Sequence, residues 1–568
     1  MSTAHPSHSA QHHASKFTSK QRTIALVIVA LAFVIDLLDS TIVNIAIPSI
    51  QSNLGASYSA IQWLIAGYSL AFAVLLITGG RMGDVFGYKK LFMIGVGGFT
   101  LASLLSGLAW NPEILIGARL FQGAMAALMV PQVMSLMQVM YKPNERAGVM
   151  GLFGALGGAA ASLGPVIGGL LIHFNIAGLD WRPIFLINVP IGIFALFMAK
   201  KYLPEGKSPH PLKLDVIGTF IIMAALFLFV FPLIQGRELD WPIWSFVMIA
   251  TSLPFIALFA WWQRKKENKD NSPLVAPQLF KTRTFVTGLL VNLVFEGAML
   301  GIFLPMTLLL QVGLGYEVIL AAVTGIPTAV GIGLSIAIFG QKLIPKLGRY
   351  ALSVGTIVMA IGMTATYLVV SHEGLNVTPW EFIPGLLTMG IGMGLVMAPI
   401  FAVVLTDVDP RHAGSASGVL NAVQQLGGAV GIALIGVIFF GQLTQNAPAS
   451  FAGVEPKIRD ELSGLHLPSE AQNHIVESVK ACYVDRTKQK DASETPESCK
   501  QTEQMPETPA SAKITSIVTD AAKKANSDNF IHGFGVAVVF EYVLLGITFI
   551  LSLLLPRHIR PEAYQEGH

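Results

Sequence analysis

Apolar stretches recur along the chain at about 24–47, 60–80, 90–109, 113–140, 147–172, 184–202, 214–234, 243–262, 285–311, 318–340, 350–370, 381–405, 413–441 and 533–555. Each is close to the ~20 residues that a helix needs to cross a hydrocarbon core about 30 Å thick. Most of the polar joints between them are short. The pattern therefore predicts an all-α polytopic membrane protein with 14 transmembrane helices. Two segments break the rhythm. Residues 1–20 are polar and basic and are expected to form a disordered tail, and 442–532 form one long polar excursion before the last span.

Composition agrees with that pattern. Of the 568 residues, 53% are hydrophobic and 12% charged, about half the charged share of a soluble chain. The first apolar run is too long for the core of a secretory signal and lacks a small-residue cleavage site, so no cleaved leader is expected. Charge alternates between the two sets of joints. Lys89 and Lys90, Lys142 and Arg146, Lys200, Lys201 and Lys207, Arg264 to Lys266, Lys342, Lys346 and Arg349, and Arg411 fall on one side; Arg182 and Arg237 are nearly all that the other short joints carry. By the positive-inside rule both termini are cytoplasmic, which needs an even number of spans. The 442–532 segment then lies outside. There Cys482 and Cys499, the two cysteines of the chain, stand in a compartment that permits a disulfide. Pairing and two free thiols both remain open, since connectivity is not legible in sequence.

An internal repeat is visible. The entry to the fifth span, PNERAGVMGLFGALGGA (143–159), is echoed at the thirteenth by PRHAGSASGVLNAVQQLGGA (410–429). GRMGDVFGYKK (80–90) is echoed more faintly by QKLIPKLGRY (341–350). Both offsets are eight spans, which fits two six-span halves in parallel orientation with two inserted spans between them. The expected divisions are the tail 1–20, a first half 21–203, the inserted pair 204–270, five helices of the second half 271–441, the loop 442–532, and the last span with its tail 533–568.

Several segments carry a family likeness. LDSTIVNIAIP (38–48), GRMGDVFGYKK (80–90), RLFQGAMAA (119–127), GALGGAAASLGPVIGG (154–169) and WRPIFLINVPIG (181–192) resemble, in order and at the matching spans, the motifs of the fourteen-span drug:proton antiporters of the major facilitator superfamily. The likeness covers most of the chain outside 1–20 and 442–532. It implies the major facilitator fold in a bacterial inner membrane, alternating access, and a proton gradient with no cofactor as the energy source. It also implies that Asp39 belongs to the proton pathway, with Arg119 close enough to tune it. One departure is Tyr88, where the loop motif usually has Arg.

The residues support that reading independently. A charge at mid-bilayer costs about 2.5–3.5 kcal/mol on insertion scales, so Asp39 and Arg119 should face inward and find partners. Asp36, three residues earlier, shares the helical face of Asp39. An arginine favours the ionised carboxylate while burial favours the neutral acid, so a site balanced between them can change protonation as water access changes. A structural ion pair is the alternative. In the loop motif, Gly80, Gly83 and Gly87 permit a tight turn, and Asp84, with Lys89 and Lys90, is placed to hold one side closed across the interface between halves. Simple anchoring of the loop would look the same. Gly154, Gly157, Gly158, Gly164, Gly168 and Gly169 on the fifth span allow close helix packing, and Pro165 invites a bend. Glu296 on the ninth span is a candidate for a cationic substrate or a second proton. Gln424, Gln425 and Asn421 on the thirteenth either line a polar cavity or glue helices together. Glu541 on the last span is expected to be peripheral and near the outer surface. His5, His8, His12 and His13 read as a solvated tail and not as a metal site.

The expected activity is proton-coupled export of amphipathic organic compounds. Transport of a specific metabolite, in either direction, and a non-transporting receptor or assembly partner are the alternatives. No phosphate loop, nucleophile motif or metal cluster points to an enzyme, and nothing points to nucleic acid. Expected partners are a small-molecule substrate and the bilayer. Where the cell has an outer membrane, a periplasmic adaptor and an outer channel would complete the route.

Overall fold

The computed structural model describes residues 19–141, 143–208, 213–339, 347–408, 413–465, 467–488, 496–499 and 509–557. The histidine-bearing tail, Lys142, Lys342, Lys346, Arg411 and most of 491–510 lie outside the described residues, and so do the side chains of Gly154 and Gly158. The helices, in chain order, are α1 (Ser19–Leu54), α2 (Tyr58–Phe86), α3 (Tyr88–Gly107), α4 (Pro112–Met140), α5 (Pro143–His173), α6 (Pro183–Tyr202), α7 (Val216–Glu238) and α8 (Ile243–Asp270). They continue with α9 (Arg283–Gly313, closing in a π-helical turn), α10 (Val318–Ile338), α11 (Arg349–Glu373), α12 (Ile383–Leu405), α13 (Ala413–Ser463), α14 (Ser469–Lys488) and α15 (Pro509–Ser552). Among the described residues 13 helices are long and apolar enough to cross a membrane, and α5, described in part, occupies the place of the remaining expected span.

The repeat foreseen in sequence reappears in how the helices cross. In the first half Gly79 of α2 lies against the backbone of Ala127 on α4, and Gly123 of α4 against the carbonyl of Tyr68 on α2. Eight spans on, Gly331 of α10 meets the carbonyl of Leu387 on α12, and Gly390 of α12 meets that of Thr328 on α10. Likewise Gly95 of α3 abuts Met129 on α4, while Gly362 of α11 abuts Gly385 and Met389 on α12. Without side chains these residues let backbones touch, the usual device of helices that have no hydrophobic drive to associate in lipid. The halves meet through α2 with α13 and through α5 with α10. Tyr58 and Phe440 stack at 4.1 Å, Gln62 fills the notch at Gly436, Gly169 abuts Ala322, and Gln311 donates to the Ile45 carbonyl at 2.9 Å.

Of the inserted pair, α7 packs on α2 and α13, and α8 packs on α7. The outer face of α8 is apolar and open, with Ile243, Phe246, Val247, Leu253 and Trp261 exposed. These are lipid-facing positions.

The described part of the excursion 442–532 is more helical than its polar composition suggests. α13 has 51 residues and α15 has 44, about 76 and 66 Å at 1.5 Å per residue, so both run far past a membrane core of ~30 Å. Their extensions close with α14 into a three-helix bundle. Phe451, Val454, Ile458 and Leu462 of α13, Ile475, Val476, Val479 and Tyr483 of α14, and Ile514, Ile517 and Ala521 of α15 form its core. Cys482 and Cys499 are joined in a disulfide across 17 positions. The Tyr483 hydroxyl, pushed well above the usual phenol range by burial, donates to the Ala525 carbonyl at 3.0 Å. The bundle is seated on the membrane helices by Thr444 Oγ1 donating to Thr487 O (3.0 Å), Asn529 Nδ2 to Leu443 O (2.9 Å) and Asn526 Nδ2 to Val312 O (2.9 Å).

Candidate functional site

Asp39 lies on α1, wholly buried where α1, α3, α4 and α6 converge. Close packing puts it there: Gly164 of α5 sits against Thr41 and the Leu38 carbonyl, and Gly168 against Ile42 and Ile45. One oxygen of Asp39, Oδ2, accepts from Arg119 Nη1. The other, Oδ1, accepts from Gln122 Nε2 at 2.9 Å and from Asn188 Nδ2 at 2.8 Å. Arg119, 1% exposed, also donates to Gln122 Oε1 at 2.6 Å and to the Leu64 carbonyl at 3.3 Å. Ser103 accepts from Gln122 at 2.8 Å and from Asn188 at 3.4 Å.

Asp36 belongs to the same network, one turn away. Its Oδ1 accepts from the Tyr68 hydroxyl, and the Tyr68 ring lies 4.4 Å from the Arg119 guanidinium carbon. A single aromatic side chain thus touches one carboxylate through its hydroxyl and the arginine through its π face. The three proton-coupling residues read from sequence, Asp36, Asp39 and Arg119, are brought together. Tyr68, Gln122, Asn188 and Ser103 were not foreseen as members. Gln122 and Asn188 fall inside the segments 119–127 and 181–192, and an amide three residues after a buried arginine was the signal available.

The second half holds a sparser site. Glu296 of α9, 3% exposed, accepts from Gln424 Nε2 of α13 at 2.6 Å. Asn292, one turn earlier, donates to the Leu420 carbonyl at 3.1 Å. Asn421 turns back to Ser417 O of its own helix at 2.9 Å, and Gln425 is half-buried. Of the three candidates on α13, Gln424 is the one hydrogen-bonded to Glu296 among the described residues. Glu541 departs from expectation. It is 0% exposed and packs inward against α9, because the lipid-facing side of α15 is taken by Val539, Val543, Ile547 and Ile550.

The loop motif adopts the tight turn, with Gly87 at φ +101° and Gly83 pressed on Gln132, which donates to the Gly79 carbonyl at 2.9 Å. Gly80 lies near Pro131. Among the described contacts Asp84 does not reach the second half. Its Oδ1 accepts from Tyr88 at 3.0 Å, since the residue one turn on supplies a hydroxyl where the family motif has a cation. Lys89 pairs at 3.2 Å with the exposed Glu205; Lys90 is exposed. The residues just before α13, 409–412, lie outside the described set.

Arg81 is the member of this loop that reaches across. Buried, it donates to the carbonyl of Lys213 (3.4 Å) at the entry to the inserted pair, and to those of Ser272 (3.1 Å), Pro273 and Leu274 (3.1 Å), the joint between the inserted pair and the second half. Nearby, Asp215 accepts from Gly218 N, Trp262 Nε1 and Gln263 Nε2, each at 2.9 Å, and Gln263 Oε1 accepts from Val275 N at 3.1 Å. Arg81→Ala leaves several buried carbonyls without their donor, at about 1–3 kcal/mol for a buried group stranded in this way. The expected outcome is a lower unfolding temperature and faster amide exchange at 272–276; unchanged exchange there would show that Arg81 does not hold the joint.

A repeated bundle of membrane helices, with a charged network sealed inside one half and a buried carboxylate in the other, defines a multi-pass membrane transporter. The chain belongs to the Major Facilitator Superfamily, whose profile matches residues 29–432, and is a non-enzymatic secondary transporter of small molecules. It is 38% identical to a probable actinorhodin transporter of Streptomyces coelicolor, over 95% of this chain and 93% of that protein. It is 32% identical to a methylenomycin A resistance protein of Bacillus subtilis, over 77% of this chain and 91% of that protein. The fold is similar to that of a bacterial homologue of the human lysosomal transporter Spinster in an inward-facing, unoccupied conformation. That match has a TM-score of 0.58 at 16% identity and covers 96% of this chain and 100% of that one.

Proposed function

We propose that this protein exports amphipathic organic compounds in exchange for protons, by alternating access, from a bacterial inner membrane with both termini in the cytoplasm. The relatives' names, antibiotic transport and antibiotic resistance, support the substrate class. The observation that carries the coupling is Asp39, a fully buried carboxylate satisfied by Arg119, Gln122 and Asn188 at once. In that state its charge is balanced and α1 is tied to α4 and α6. Protonation removes the charge, weakens the hold on Arg119 and loosens α1 from α4. Deprotonation restores the tie, so water access from alternate sides yields a cycle in which helix contacts follow the proton.

The energetics suffice. The membrane potential supplies about 2.3 kcal/mol per charge per 100 mV, and each 1.4 kcal/mol is tenfold in gradient. The proton gradient serves as the energy source and no cofactor is needed. In a cell with an outer membrane, a periplasmic adaptor and an outer channel would carry the substrate onward. In this reading Glu296, bonded to Gln424, meets a cationic substrate from the second half. The test is efflux of a lipophilic fluorescent cation from proteoliposomes under an imposed pH gradient. Wild type is expected to transport, and Asp39→Asn to lose proton-driven transport. Equal transport by both would remove Asp39 from the coupling path.

A further inference from the structure

Glu541 is a buried acid that the network around Asp39 does not use. It stands on α15, eight residues beyond the expected start of the last span, which places it about 12 Å into the membrane at 1.5 Å per residue. It is 0% exposed, and neither carboxyl oxygen has a hydrogen-bond partner. Gly301 of α9 lies beside it. A Cβ built on Gly301 of α9 would stand 3.4 Å from both Glu541 Oε1 and the Gly431 carbonyl oxygen of α13. At that same crossing Gly431 rests directly on the backbone of Gly297. The carboxyl thus lies in the notch left by the missing side chain at Gly301, beside a backbone acceptor.

Glu296 lies along the same crossing. It is five residues before Gly301 on α9, about 7.5 Å along the axis, and its partner Gln424 is seven residues before Gly431 on α13. No Lys, Arg, Asp or Glu occurs between Ala413 and Val454 of α13. On α11, Arg349, His372 and Glu373 stand at the helix ends, and Tyr367 faces α15 at Gly535. No cation described in the membrane part of these helices is placed to balance a charge on Glu541. Toward the termini side the same face of α15 carries Thr548 and Ser552, both buried, two and three turns on. Ser552 meets Ser353 of α11 at 2.7 Å.

An ionised carboxylate without a donor in so dry a place is strongly disfavoured, whereas the neutral acid has a hydroxyl to offer a carbonyl. We propose that Glu541 is a second proton-carrying site of the transporter, protonated in this conformation and discharged when α9 and α13 part at Gly297 and Gly431. On discharge the O–H bond breaks, its electron pair stays on the carboxylate, and the proton passes to water entering the notch. This rests on the proton-exchange reading above.

Infrared spectroscopy of the reconstituted full-length protein reads the protonated carboxyl directly, through its C=O stretch and its shift in heavy water. Glu541→Gln, a neutral isostere, is expected to unfold at or above the wild-type temperature and to lose one protonated-carboxyl band. Its rate of pH-driven efflux of a lipophilic cation is also expected to fall about tenfold or more, equivalent to about 1.4 kcal/mol of barrier. Glu541→Asp is expected to keep a carboxyl band and recover part of the efflux. An unchanged band pattern in Glu541→Gln would overturn the proposal, and so would a wild-type rate of pH-driven efflux. If wild type itself showed no pH-driven efflux while Glu541→Gln still lost its band, the exchange reading would fail and the proton-holding site would stand.

Discussion

Replacing Asp39 by Asn is expected to lower the unfolding free energy by about 3–5 kcal/mol, the cost of stranding one member of a buried charge pair. The orphaned group is Arg119, 1% exposed, which would keep its charge with Gln122, the Leu64 carbonyl and the rings of Tyr68 and Phe185 around it and no carboxylate bonded to it. A second substitution reverses most of the loss. Asp39→Asn combined with Arg119→Gln removes both charges and leaves amides that can bond to Gln122, Asn188 and each other; replacing a whole buried pair is often nearly neutral. Thermal unfolding of the four proteins in lipid nanodiscs gives the cycle. A double variant whose loss equals the sum of the single losses would show that the pair is not coupled. Stability and transport should separate here, because the double variant folds yet has no titrating group at position 39.

The second large effect concerns the repeat. Gly123→Val and Gly390→Val each push a branched side chain into backbone, the Tyr68 carbonyl in one half and the Thr328 carbonyl in the other. Overpacking of this kind costs about 1–3 kcal/mol, and backbone cannot step aside as a flexible side chain does. A Cβ at Gly117 or Gly333 meets nothing within 4 Å, and for valine there the gain over glycine in helix propensity is a few tenths of a kcal/mol. The expected result is sharply reduced folded yield for Gly123→Val and Gly390→Val and unreduced yield for Gly117→Val and Gly333→Val. Equal yields for all four, by size-exclusion chromatography after detergent extraction, would contradict the crossing geometry. Gly123→Val should also disturb Asp36, because Tyr68 carries both the obstructed carbonyl and the hydroxyl that Asp36 accepts from.

Spans were legible because lipid imposes length and apolarity together, and the offset of eight spans was legible because its glycine-rich echoes lie on equivalent helices. The ends of α13 and α15 were not. Past the membrane the helices continue on a polar background, and the core positions Phe451, Val454, Ile458 and Leu462 are too widely spaced to register as an apolar run. That Asp39 and Arg119 each need a buried partner followed from the cost of either charge alone, and that they stand close together followed from the family resemblance. Tyr68, Asn188 and Ser103 did not follow, since hydroxyls and amides are ordinary in membrane helices and their role depends on which face turns inward. Glu541 was misplaced for the same reason. Its depth is a matter of counting, but the glycine notch that receives it belongs to two other helices.

The three-helix bundle above the membrane is bonded at its base to Leu443 and Thr444 of α13 and to Val312 of α9, both helices that start in the second half. A rocking motion between halves therefore carries the bundle with one of them as a passenger, while the turns around Asn53 and Arg182 of the other stay behind. The molecule thus has a built-in fiducial. In projection images of so small a membrane protein, the lopsided mass marks which half is which. A binding fragment raised against α14 would travel with the second half and report its angle without touching the transport path.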